Sequence, residues 1–130
     1  TAKSVTVILE ACFSGLSHAS TITKSASPVY VEVSNHYTLS NSNMVIISSS
    51  KSDEISTWDT NKRFGLFTYY FVNGLKEADL NNDEMITVIE IEKYLSEKVS
   101  YNAKKLMNRE QTPQVFGTKD KIFLRQIQIN

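Results

Sequence analysis

Cys12 is the side chain with the most chemistry to offer, and it is the one cysteine of the chain. It follows an apolar, β-branched run, Val5-Thr6-Val7-Ile8-Leu9, then Glu10 and Ala11, and it precedes Phe13-Ser14-Gly15. Such a run reads as a buried strand of a parallel sheet. Open α/β sheets place their ligands at the carboxyl ends of these strands. As a thiolate, Cys12 could attack a carbonyl carbon, given a base or a positive field nearby. The competing reading is inert core, the commoner fate of a free cysteine. Its place at the strand end, ahead of small and polar residues, speaks for the nucleophile. A phosphatase loop would need Arg six residues later, where His18 stands, and Ser14 lacks the Gly-x-Ser-x-Gly frame of a nucleophile elbow. Alternation puts Glu10 on the same side of the strand as Cys12. An acid there should be paired, as in a structural ion pair with Lys or Arg, or should hold a cation.

A second cluster lies further on. Asp79, Asn81, Asp83, Met85 and Glu90 have the spacing of an EF-hand calcium loop, with Ile86 at its apolar eighth position. Glu84 departs from the pattern, because Gly normally permits a left-handed turn there and another residue costs about 1–2 kcal/mol. The competing reading is a turn in which Asp79 or Asp83 caps the following helix. Calcium is the one cofactor suggested; none is required.

The elements that must carry these residues alternate in kind. Residues 4–11 and 44–47 read as strands, 17–43 as a long polar loop containing Lys24, His18 and His36, and 51–63 as a polar loop around Trp58. Helices are predicted over 64–77 (Phe64, Leu66, Phe67, Tyr70, Phe71, Leu75) and 88–107 (Val88, Ile91, Leu95, Val99, Leu106). Short strands are predicted at 115–116 and 122–124. This order is α/β, in a single domain over residues 1–130. Basic and acidic residues balance at 14 each, which gives no reason to propose nucleic acid or a membrane surface. One cysteine rules out an internal disulfide and favours a cytoplasmic location without fixing one. A chain that enters a buried-type strand almost at once is expected to lack its natural beginning.

Glu10-Ala11-Cys12-Phe13-Ser14-Gly15 resembles the nucleophile motif of the caspase-like cysteine peptidases, especially the metacaspase and bacterial branch. The likeness continues in order through Ile46-Ile47-Ser48-Ser49-Ser50, Gly65-Leu66-Phe67-Thr68-Tyr69-Tyr70, Ala78-Asp79-Leu80-Asn81-Asn82-Asp83 and Gln111-Thr112-Pro113-Gln114. One such motif would be weak; four more in register behind it are strong.

The resemblance implies a caspase-type, mostly parallel sheet flanked by helices, present here as its carboxyl-terminal portion. It implies an endopeptidase in which Cys12 is the nucleophile and its N–H helps form an oxyanion hole, worth about 3 kcal/mol per donor in well-studied cases. The dyad histidine of this family lies about 50 residues upstream of the cysteine. His18 and His36 both follow Cys12, so the base is expected on an amino-terminal part of the same domain, and the chain alone is expected to be inactive. Glu10 matches the acid that lines S1 in members cleaving after Arg or Lys. Ser48, Ser49 and Trp58, with Asp53 and Asp59 nearby, fall where substrate binds. Lys24 falls in the region where such enzymes are cut during maturation. Residues 122–124 match the strand through which caspases pair, whereas metacaspases stay monomeric. The expected partner is a peptide or protein substrate. The alternative is a non-catalytic caspase-fold scaffold or regulatory module, responsive to calcium.

Overall fold

The computed structural model describes residues 4–10, 16–17, 20–21, 43–51 and 54–125. Along the chain these form β1 (Val5–Leu9), β2 (Leu16–Ser17), β3 (Ser20–Thr21), β4 (Met44–Ser48), β5 (Trp58–Asp59), β6 (Phe64–Gly65), α1 (Leu66–Glu77), β7 (Met85–Thr87), α2 (Val88–Met107), β8 (Gln114–Phe116) and β9 (Ile122–Arg125). β4 is the middle strand of the main sheet. It pairs in parallel with β1, from Val5 opposite Met44 to Leu9 opposite Ser48, and antiparallel with β8. The sheet is therefore mixed. β2 and β3 form a small antiparallel pair within the segment expected to be loop.

Alternation along β4 sends Val45 and Ile47 into the core. There they join Leu66 and Phe67 of α1, Ile91, Leu95 and Val99 of α2, and Val115 of β8. The two helices approach closely at Gly74, where a Cβ would come within 2.7 Å of Ile91 Cδ1. α1 begins at Leu66, later than helical spacing predicts, because pairing of Trp58 with Gly65 and of Asp59 with Phe64 draws the preceding residues into a hairpin. That hairpin also puts strand structure inside the expected 51–63 loop, and it leaves Phe64 exposed. α2 has the predicted span. Leu106 keeps to the apolar face but is exposed in the last turn, while Ala103 and Tyr94 are buried. β9 pairs with β7 and not with the main sheet, and Phe123 packs edge-on against Phe71 at 6.1 Å. β1 differs most from expectation: Val5, Ile8 and Leu9 are 43%, 45% and 41% exposed, since among the described residues β1 has one neighbour, β4. Among the described residues no helix is long and apolar enough to cross a membrane.

The cap of α2 is neither Asp79 nor Asp83. Thr87 caps it in a capping box with Glu90: the Thr87 N–H donates to the Glu90 carboxylate at 2.9 Å, and the Glu90 N–H donates back to the Thr87 hydroxyl. Hydrogen bonds from the Thr87 amide, then burial acting the other way, and the Thr87 hydroxyl and Leu80 amide leave the Glu90 carboxyl below its ordinary value of 4.5. A depressed value means that its stabilisation is complete above 4.5 and is lost as the pH falls through the folded value. Thr87→Ala is expected to cost about 1 kcal/mol at pH 7. Urea unfolding should also show a Glu90→Gln penalty at pH 7 that fades as the pH falls below 4.5 and the carboxyl takes up its proton.

Candidate active site

The parallel register brings the carboxyl ends of β1 and β4 side by side, and the Ser49 N–H donates to the Leu9 carbonyl at 2.9 Å. Glu10 follows directly. Its carboxylate turns onto the first turn of α1, where Oε2 accepts a hydrogen bond from the Thr68 hydroxyl. Its Oε1 is buried with no hydrogen-bond partner among the described residues. The space Glu10 occupies exists because residue 65 is glycine: a Cβ on Gly65 would collide with the Glu10 carboxylate.

Trp58 lies directly opposite Gly65 in the β5–β6 hairpin and is 42% exposed. Paired residues of an antiparallel ladder project to the same face. The face of the hairpin that receives the Glu10 carboxylate is therefore the one that carries Trp58. The hairpin tip is pinned onto α1. Asp59 is buried and accepts from the Asn61 and Lys62 amides at 3.0 and 3.1 Å, and the Lys62 ammonium lies 3.4 Å from it and 4.1 Å from the Tyr69 ring centre. Burial works against the Asp59 charge, but these amides and the ammonium outweigh it and hold the carboxyl below its ordinary value.

Of the two serines expected at the substrate, Ser48 is half-buried and donates to the Ser50 carbonyl at 3.2 Å. Ser49 is buried, with each polar group engaged by the chain: the N–H by Leu9, the carbonyl by the Gln111 carboxamide and the hydroxyl by Ser56. The structure thus brings Glu10 and Trp58 to one place and turns Ser49 inward. Thr68, Gly65 and Gln111 were not singled out as site residues from the sequence. The Gly65–Thr68 helix start carried a signal for the first two, but a buried carboxamide leaves no periodic trace. Cys12, His18, Lys24, His36 and Asp53 lie outside the described residues.

In the acidic loop, Asp79 accepts from the Asp83 and Glu84 amides, Asn81 from the Asp83 amide and Asp83 from the Met85 amide. Met85 opens β7, and Glu90 is committed to the α2 cap and to the Leu80 amide. Among the described residues no three His, Cys, Asp or Glu side chains gather as a metal centre.

A family model described as the caspase domain matches residues 1–124, and the chain belongs to that family of cysteine peptidases. Neither the curated proteins nor the solved structures contain a significant match.

The Gly65–Glu10 packing makes a direct prediction. Gly65→Ala should destabilise by about 1–3 kcal/mol, the usual range for overpacking. In a Glu10→Ala background the same change should be nearly neutral, so a double-mutant cycle read by denaturant unfolding should give coupling of about 1 kcal/mol or more.

Proposed function

We propose that the chain carries the nucleophile and one wall of the substrate cleft of a cysteine endopeptidase that cleaves after Arg or Lys. The observation that supports a basic P1 residue is the Glu10 carboxylate, buried at one oxygen without a partner and facing the same side of the hairpin as Trp58. A guanidinium or ammonium seated there would satisfy the free oxygen, and the indole face would attract the same cation. In this reading the Cys12 thiolate attacks the scissile carbonyl carbon, and its own N–H donates to the oxyanion. Collapse expels the amine with a proton from a histidine, and water then cleaves the thioester, returning the thiol. The histidine comes from an amino-terminal part of the domain. The exposed Val5, Ile8 and Leu9 on β1 are apolar surface for that part to cover. Lys24 is then an internal processing site.

On the complete enzyme, a P1 library should show cleavage after Arg and Lys, and cleavage only after Asp would sink the specificity. Cys12→Ala should abolish turnover, while Glu10→Gln should lower kcat/KM for basic substrates on the order of tenfold to a hundredfold, the loss of a hydrogen-bonded charge. The scaffold alternative predicts that a peptidyl electrophile leaves Cys12 unlabelled in the intact protein.

Calcium at the acidic loop is a second reading, favoured by one observation. Glu84 has φ 64°, the left-handed conformation that the sixth position of an EF-hand loop adopts. For calcium to bind, Glu90 must leave Thr87 and Leu80. Calorimetry should then give heat at millimolar calcium that Asp79→Ala removes; no heat would leave the loop as a turn ahead of α2.

A further inference from the structure

Gln111 is completely buried, and its carboxamide joins two points far apart in sequence. Oε1 accepts from the Thr57 N–H at 2.8 Å, and Nε2 donates to the Ser49 carbonyl at 3.0 Å. Its own carbonyl accepts from the Ser100 hydroxyl of α2 at 2.8 Å. Each point it holds leads to the candidate site in one step. The Ser49 N–H is bonded to Leu9, the residue before Glu10, whereas Thr57 precedes Trp58 and accepts the Leu66 N–H at the start of α1 at 2.8 Å. A second bond system acts in parallel. Glu54 accepts from both the amide and the hydroxyl of Thr112, the latter at 2.9 Å. The neighbouring Thr57 is 4% exposed, and its hydroxyl is buried without a partner among the described residues, so the carboxamide bonds of Gln111 carry the polar contacts of this junction.

We propose that Gln111 is a positioning residue for the substrate cleft. Without touching substrate, it sets the separation between the β1 end that bears Glu10 and the hairpin that bears Trp58. This rests on the peptidase reading for its effect on turnover, and on the geometry alone for its effect on the two chain segments. Glutamine suits the task because it presents an acceptor to Thr57 and a donor to Ser49. A glutamate keeps the first bond and opposes the Ser49 carbonyl with a second acceptor. Once protonated, it can donate again.

The test uses the full-length protein with Gln111→Ala and Gln111→Glu. For the alanine variant, amide hydrogen exchange should speed up at Thr57 and Leu66 while the interior of α2 is unchanged. For the glutamate variant at pH 8, kcat/KM for a basic-P1 peptide should fall by about tenfold to a hundredfold, the scale of a misplaced binding group, mainly through KM. Its ratio to wild type should recover as the pH falls and the buried carboxyl takes up a proton. Unchanged exchange at Thr57, or a kcat/KM loss independent of pH, overturns the proposal. If the alanine variant loses protection throughout, the glutamate variant decides, by whether its loss of stability and affinity reverses with pH. If the wild-type enzyme cleaves no peptide, the peptidase reading fails on its own. Exchange at Thr57 and the pH dependence of Gln111→Glu stability then decide whether Gln111 ties the two segments.

Discussion

β4 is hydrogen-bonded on both sides, and the candidate site is built around its carboxyl end. Its parallel register with β1 delivers Glu10 beside Ser49, and its antiparallel partner β8 brings in the segment that begins at Gln111. Val45 and Ile47 anchor the strand to the helices, so the strand cannot slide without turning its whole apolar set outward. Register is fixed by the core, and the core thereby fixes which residues meet at the strand ends.

Glu10 shows how such a site holds a charge. α1 starts with no side-chain cap and no acidic residue in its first turn. Negative charge is stabilised at a helix start, typically by about 0.3–1 kcal/mol. Glu10 supplies that charge from another element, through Thr68, into room left by Gly65. The arrangement satisfies one carboxylate oxygen and not the other, and an unpartnered buried polar group costs about 1–3 kcal/mol. A site that takes up a cation can accept that cost, because binding recovers it.

The helices were legible because their apolar spacing is long and regular: α2 was read at its observed bounds, and the parallel pairing of an apolar first strand with 44–48 is the arrangement such runs favour. The start of α1 was missed because Phe64 fits the helical stripe, and only hairpin pairing with Asp59 takes it out. Asp79 and Asp83 are as good cap formers as Thr87 by residue type, and what distinguishes Thr87 is Glu90 three residues later, a residue also assigned to a calcium loop. At the site, Glu10 and Trp58 were singled out, but the glycine between them and the carboxamide behind them were not. Their roles depend on contacts across more than fifty residues of chain.

In β1 the sequence pattern and the observed exposure differ. Its sequence has apolar residues on both faces, the pattern of a strand enclosed on all sides, yet three of those side chains are exposed. A long apolar edge is normally blunted by charge, proline or a bulge, since it templates unwanted pairing. β1 has none of these between Val5 and Leu9. An edge with that composition is consistent with a strand meant to be covered. In sequence the same strand leads to Cys12, the nucleophile of the proposed peptidase. In the proposed peptidase, covering the apolar edge and delivering the histidine are then one docking event.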